Sequence, residues 1–331
     1  MYALIIFIRN LLFDFGILKS KKFEIPLISV GNITMGGTGK TPHIEHFIRQ
    51  YLPEKRVAVL SRGYKRKTKG FILADENADA QTIGDEPFQI FQKFPEITVA
   101  VDENRVRGVE NLLALPTPPE IVLLDDAFQH RKISPSENIL LINYNRPIFN
   151  DRIFPYGRLR EFACGTKRAD SVIVTKCPQN ISEKEKEFFI KKIEKCGFYY
   201  AQSPRAGRSQ GEVPIYFSAF EYSAPKNIFT KEPINIDVKR SFLVVTGVVN
   251  ASGLYDYLEN FALSIEKLKF SDHHDFTKKD IEKIEQKFSQ LSPDSLIITT
   301  EKDRARLLSN PFVPQNLKEK IFYVEIEVKF L

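Results

Sequence analysis

A short apolar run, Leu27 to Val30, leads into Gly31-Asn-Ile-Thr-Met-Gly-Gly-Thr-Gly-Lys-Thr41, after which Ile44, Phe47, Ile48 and Tyr51 recur at helical spacing. Strand, glycine loop, Lys-Thr and helix, in that order, cradle phosphate. Backbone N–H groups of the loop and of the helix N-terminus face the anion, the lysine neutralises β/γ oxygens, and the threonine hydroxyl holds Mg²⁺. The order assigns Gly36, Gly37, Thr38, Gly39, Lys40 and Thr41 to a nucleotide's phosphates, with Thr41 also on the metal. Thr34 stands where the usual spacing has one more glycine, and Gly36 and Gly37 supply the flexibility instead. The competing reading, a glycine turn before an ordinary helix, is disfavoured by the strand before it and the helix after it.

Glu120-Ile-Val-Leu-Leu-Asp-Asp126 is the second informative stretch. Apolar residues running into Asp125 and Asp126 put two carboxylates at the C-terminal end of a parallel strand, the rim where open α/β sheets bind ligands. An isolated Asp-Asp is ordinarily a solvated turn. Downstream of a phosphate loop, the pair is favoured as the acid side of a Mg²⁺ site opposite Thr41. Gln129 and His130 follow directly, adding an amide and a titratable ring.

The 331 residues are enough for two domains at ~150 residues each. With 43% apolar and 27% charged residues the composition is that of a soluble globular protein. A net charge of +6 permits an anionic substrate or membrane surface and gives no indication of nucleic acid. Three cysteines without metal spacing fit a reducing compartment.

Residues 2–18 are the most apolar segment, interrupted by Arg9 and Asp14 and followed by Lys19, Lys21 and Lys22. The run is too short and broken to span a bilayer, and it lacks the order and cleavage site of a signal peptide. Leu4, Ile5, Ile8, Leu11, Leu12 and Phe15 share a helical face, which suits either a membrane-interface helix or one packed on the core.

Further strands are expected at 56–61, 97–101, 139–142 and 172–175, with helices opening at Gly84-Asp-Glu-Pro87 and over 105–115 and 181–198. By themselves, Ser61-Arg-Gly-Tyr64 reads as a strand-end turn and Asp85-Glu86-Pro87 as helix-start chemistry. The cations of 150–168 suit an anionic substrate or an ordinary surface. Thr175-Lys-Cys-Pro178 has Pro178 where guanine-specific GTPases carry an acid, which argues against GTP. A polar stretch near 203–213 reads as a hinge into a second unit. That unit has strands at 241–246 and 295–300, a helix over 277–291, and an alternating edge strand over 322–330. In Asp272-His-His-Asp275, adjacent histidines diverge too far for a two-His metal site, whereas one histidine held by Asp272 suits acid–base work.

As a set, GNITMGGTGKTP (31–42), SRGY (61–64), GDEP (84–87), DDAFQH (125–130), GRLRE (157–161), SDHHDF (271–276) and TTEKD (299–303) resemble the tetraacyldisaccharide 4'-kinase (lipid A 4'-kinase) family. The departures are Ala127, where many members have glycine, and Pro135-Ser136, where Arg-Asp often follows. The resemblance implies an α/β fold: a P-loop NTPase-like, mostly parallel sheet flanked by helices, with a smaller second α/β domain and an N-terminal amphipathic helix. The expected divisions are 1–22, 23–215 and 216–331. It implies ATP- and Mg²⁺-dependent phosphorylation of the 4'-hydroxyl of a tetraacylated glucosamine disaccharide 1-phosphate, on the cytoplasmic face of the inner membrane. Residue by residue, it implies Asp85 as base with His273 as partner, and Asp125 and Asp126 on the metal. Ser61, Tyr64, Glu86, Gln129, His130, Arg160 and Glu161 are placed by it along the substrate region. The expected partners are the lipid disaccharide and the membrane interface, with no nucleic acid and a monomeric chain. The rival reading is a regulatory NTPase of related fold, against which the missing guanine-reading acid and the GDEP and SDHHDF motifs count.

Overall fold

The computed structural model describes residues 2–197, 213–234, 239–248, 250–272 and 274–331. The chain divides into two compact units, one running to Phe220 and resuming at Val328, the other Glu221–Glu327. In chain order the first unit contains strands β1 (Leu27–Gly31), β2 (Val57–Ser61), β3 (Ile72–Leu73), β4 (Thr98–Val101), β5 (Ile121–Asp125), β6 (Glu137–Asn143) and β7 (Ser171–Thr175). The chain crosses to the second unit within β8 (Ile215–Tyr222). There it forms β9 (Lys226–Asn227), β10 (Arg240–Thr246), β11 (Ala262–Lys269), β12 (Leu296–Thr300) and β13 (Ile321–Val324), and it returns within β14 (Ile326–Phe330). The helices are α1 (Tyr2–Asp14), α2 (Lys40–Tyr51), α3 (Ala80–Ile83), α4 (Asp85–Lys93), α5 (Arg105–Leu113), α6 (Glu183–Gly197), α7 (Ser252–Glu259), α8 (Lys278–Phe288), α9 (Glu301–Leu308) and α10 (Gln315–Lys318).

The large sheet has the order β14-β8-β7-β6-β1-β5-β2-β4-β3. From β8 to β4 the neighbouring strands pair in parallel, and β3 joins antiparallel. A parallel strand with helices on both faces is apolar throughout, which is why β5 has no polar alternation. Its Ile121 and Leu123 join Ile44 and Ile48 of α2 and Ile90 of α4 on one face. On the other, Val122 and Leu124 join Val109 and Leu112 of α5. Registers Val30↔Asp125 and Leu60↔Leu124 bring the C-terminal ends of β1, β5 and β2 level, so Lys40, Asp125 and Ser61 leave the sheet at one rim.

The second unit is a five-stranded sheet, β11-β10-β12-β13-β9, parallel but for β9. Its faces are covered by Ile281 and Ile284 of α8 and by Leu254 and Leu258 of α7. The single edge strand expected over 322–330 is instead two strands. β13 lies inside this sheet, buried throughout, and β14 is the edge of the large one. Alternation over 326–330 is real, but Ile321 to Val324 are covered on both sides, a difference that a short apolar run does not disclose.

α1 ends at Asp14, short of the apolar run's end, and it has no buried residue. Leu4, Ile5 and Ile8 are 61%, 58% and 47% exposed, which removes the core-packed alternative. Among the described residues no helix is long and apolar enough to cross a membrane.

Candidate active site

The loop between β1 and α2 is held by its own side chains and by the neighbouring strands. Asn32 Nδ2 donates to Thr38 Oγ1 at 2.7 Å, and Thr175 Oγ1 at the end of β7 donates to the Thr38 carbonyl at 2.8 Å. Asn143 Nδ2 donates to the Gly37 carbonyl at 3.3 Å. Gly39 takes φ 85°, and a Cβ there would stand 2.6 Å from the Phe220 ring, so only glycine fits. Thr34 is bridged antiparallel to Leu159, and Met35 N–H donates to the Arg158 carbonyl at 2.8 Å. The first half of the loop is thus bridged at Thr34 to the 153–160 segment, with Thr34 outside the positive-φ region. That geometry needs no glycine, which accounts for the departure from the usual spacing. α2 opens at Lys40 with no side-chain cap on its N-terminus, leaving N–H groups and the positive end of the helix facing the loop.

Behind the loop sits His43, fully buried. Its Nδ1 lies 2.7 Å from the Gly39 carbonyl and its Nε2 3.0 Å from Ser218 Oγ. Burial pushes its pKa down to about 4, against a weaker upward pull from that carbonyl. The ring is therefore neutral, with Nδ1–H donating to Gly39 and Nε2 accepting from Ser218. Between its ordinary value of 6.5 and about 4, the unfolded chain carries a proton on His43 that the folded chain does not. Stability is fully present above that window and falls as pH falls through it. Between pH 7.5 and 4.5 this residue is expected to remove about 2–3 kcal/mol. Urea unfolding of wild type and His43→Gln at both pH values isolates the contribution. A difference between them that does not change with pH contradicts it.

At the end of β5, Asp125 is 3% exposed. Its Oδ2 accepts from Ser61 Oγ at 3.0 Å, and its carbonyl accepts from Arg105 Nη2 at 2.9 Å. Its Oδ1 is buried without a hydrogen-bond partner among the described residues. Burial, with Glu86 nearby, raises its carboxyl well above the ordinary range, Lys40 opposing. Asp126 adopts the left-handed region at φ 47°, a conformation that Asp tolerates better than most residues, and so turns its carboxylate to a different side. Arg160 Nη1 donates to Asp126 Oδ2 at 2.9 Å and Oδ1 at 3.1 Å, and Lys40 Nζ lies 3.7 Å from Oδ1. Burial alone would raise this carboxyl; Lys40 and Arg160 outweigh it, and the net shift is downward.

Asp85 and Glu86 open α4. Gly84, at φ 94°, packs backbone to backbone on the Ser61–Tyr64 turn, where a Cβ would stand 3.0 Å from the Tyr64 carbonyl. The GDEP and SRGY motifs are one packed unit, and the Glu86 charge acts on both Asp125 and Asp126. Asp85 is half-buried beside it. Tyr64 is 64% exposed, with Lys65 Nζ over its ring at 5.9 Å. His130 is neutral, its pKa pushed down to about 4 by burial and then by the Arg105 and Arg62 charges. Gln129 Nε2 donates to the Asn32 carbonyl at 2.7 Å and to Glu161 Oε1 at 3.1 Å. Glu161 is buried and paired with Arg168 at 2.8 Å.

Lys40, Ser61, Glu86, Asp125, Asp126, Gln129, His130 and Arg160 therefore gather at one rim, and Tyr64 is largely exposed. His273 lies outside the described residues, and Asp272 belongs to the second unit. Three cations of the 150–168 segment are paired within the protein: Arg160 with Asp126, Lys167 with Asp14, and Arg168 with Glu161. Arg105 was not singled out by its sequence, yet it is buried and holds the Asp125 backbone. A signal was present: a cation in the first turn of a helix opposes the macrodipole and calls for a partner elsewhere.

The profile of the tetraacyldisaccharide-1-P 4'-kinase family matches residues 1–330. The chain is 45% identical to a tetraacyldisaccharide 4'-kinase of Phocaeicola vulgatus, aligned over all of this chain and 88% of that one. It is 43% identical to the protein of the same name from Flavobacterium johnsoniae, over all of this chain and 90% of that one. Among solved structures it resembles LpxK from Aquifex aeolicus in complex with ATP, with 30% identity and a TM-score of 0.70, covering 100% of this chain and 92% of that chain. The matches reach through α1 and both units, so the rim described above sits in a chain that belongs, over its whole length, to the tetraacyldisaccharide 4'-kinase family.

Proposed function

We propose that the protein transfers the γ-phosphoryl group of ATP to the 4'-hydroxyl of a tetraacylated disaccharide 1-phosphate, working at the cytoplasmic face of the inner membrane. The observation that carries this reading is the meeting of Lys40, Asp126 and Arg160 within 3.7 Å contacts beside the bare N-terminus of α2. Phosphoryl transfer asks a protein for alignment and charge neutralisation more than for covalent chemistry. The loop N–H groups and Lys40 bind and orient the phosphates, and Arg160 adds positive charge. Asp85 takes the proton of the attacking hydroxyl. His273 is assigned as the second acid–base group by family resemblance.

The residues also fit a divalent cation. Asp125 Oδ1 is buried and unpartnered among the described residues, and the charge of Lys40, which precedes Thr41 in the loop, acts on this carboxyl. Among those residues no three His, Cys, Asp or Glu side chains converge on one point, and a Mg²⁺ completed by phosphate and water needs only one or two protein ligands. Thr41 and Asp125 would hold it directly. Asp126, already engaged by Arg160 and Lys40, would orient those cations beside it. When bound, Mg²⁺ offsets charge on phosphate oxygens.

An acceptor whose acyl chains remain in a bilayer requires an enzyme at the interface, and the apolar face of α1 supports that location. The triple variant Leu4→Ser, Ile5→Ser, Ile8→Ser is expected to lower the fraction that sediments with vesicles by at least tenfold, since each buried side chain contributes about 1.5–3 kcal/mol. Unchanged sedimentation would assign anchoring to another surface. Transfer of label from γ-labelled ATP to the lipid acceptor tests the reading as a whole. ATP consumption that proceeds equally without acceptor would favour a regulatory NTPase.

A further inference from the structure

α1 touches the rim as well as displaying an apolar face. The Tyr2 hydroxyl donates to the Arg160 carbonyl at 3.0 Å, Arg9 Nη2 donates to the Gln129 carbonyl at 3.4 Å, and Arg131 Nη1 donates to the Asn10 carbonyl at 2.7 Å. One of its side chains goes deeper. Asn10 Nδ2 donates to Glu161 Oε2 at 3.0 Å, while Asn10 Oδ1 accepts from Arg9 Nη2 at 3.3 Å, which fixes which way the amide points.

Glu161 is 1% exposed, so it touches protein and not solvent. Its other oxygen accepts from Gln129 Nε2 at 3.1 Å and Arg168 Nη2 at 2.8 Å. Gln129 Oε1 in turn meets Arg160 Nη1 at 3.5 Å, and that same nitrogen donates to Asp126. A continuous polar chain thus runs Asn10, Glu161, Gln129, Arg160, Asp126 and ends 3.7 Å from Lys40. Buried polar networks of this kind hold one geometry, because each member left without its partner is costly.

We infer that Asn10 is a positioning residue for phosphoryl transfer: by holding Glu161, it sets the Gln129–Arg160–Asp126 arrangement, so the helix that carries the apolar face also fixes the geometry of the site. Seating α1 and completing the rim are then one event. This rests on reading Lys40, Asp126 and Arg160 as the transfer site.

The test uses the full chain with vesicles of phosphatidylcholine and phosphatidylglycerol, ATP, and a tetraacylated disaccharide 1-phosphate. Asn10→Ala keeps a good helix former and removes only the amide. It is expected to lower kcat about tenfold, in line with the cost of a small misplacement, with KM for ATP within about twofold and vesicle sedimentation unchanged. Asn10→Asp sets a carboxylate against buried Glu161 and is expected to lower kcat about a hundredfold. Wild-type kcat in Asn10→Ala overturns the inference. So does a loss of activity that merely tracks a loss of vesicle binding. Lys40→Met separates the two readings: if it is inactive while Asn10→Ala is fully active, only the role of Asn10 fails. If Lys40→Met keeps its activity, the site reading fails and the inference with it.

Discussion

Lys40→Met is expected to lower kcat/KM for the lipid acceptor by about 10³, because a cation placed on a transferring phosphoryl group contributes roughly 10³–10⁵ in rate. Methionine keeps the apolar stem and removes only the charge. The Lys40 side chain is 12% exposed, and its carboxylate neighbour Asp126 retains Arg160 at 2.9 Å, so the fold is expected to survive the change. Steady-state kinetics and a thermal unfolding curve on the same preparation check both halves. Activity within tenfold of wild type would mean that the loop grips something other than the transferred group. A destabilised variant whose kcat loss matches its loss of folded protein would reduce Lys40 to a structural cation.

Asp85→Asn is expected to lower kcat by 10²–10⁴, the range for a lost general base, with KM for ATP nearly unchanged. The substitution discriminates between the two roles that the residue's place permits. At the first position of α4, a carboxylate also favours the helix dipole, a contribution of about 0.3–1 kcal/mol. If capping were its only role, the variant would show a small fall in stability and no specific fall in kcat. If Asp85 accepts the hydroxyl proton, the amide, which has no basic oxygen to offer, leaves a stable and nearly inactive protein. Wild-type turnover would move the base elsewhere on the rim, where Glu86 is the neighbouring carboxylate that acts on Asp125 and Asp126.

The phosphate loop and the paired acids were legible in the sequence because each is local: a strand, a turn and a helix start are determined within a few residues of one another. The same holds for β5, whose Ile121–Leu124 run is apolar on both faces because helices cover both. Glu161 was placed along the substrate region by resemblance, and nothing local discloses that it is buried against Arg168, Gln129 and Asn10. Those partners lie 7, 32 and 151 positions away. The role of Arg105 is hidden for the same reason, since its partner is the backbone of a strand 20 residues on. Thr34 shows the converse: a departure from the usual loop spacing that looks like a defect in sequence is a single antiparallel bridge to Leu159, made without a positive φ. The division of 322–330 into β13 and β14 escaped for want of a turn signal between two runs that differ only in what covers them.

β14 borders the large sheet although it follows the whole second unit in the chain, and Phe330 packs its ring against His46 at 5.1 Å and Tyr216 at 6.2 Å. A nascent polypeptide of 320 residues, still on the ribosome, has all of the phosphate loop but not this border. The first unit therefore begins to fold early and finishes late, with the intervening unit synthesised while one flank of the sheet is open to pairing with other chains.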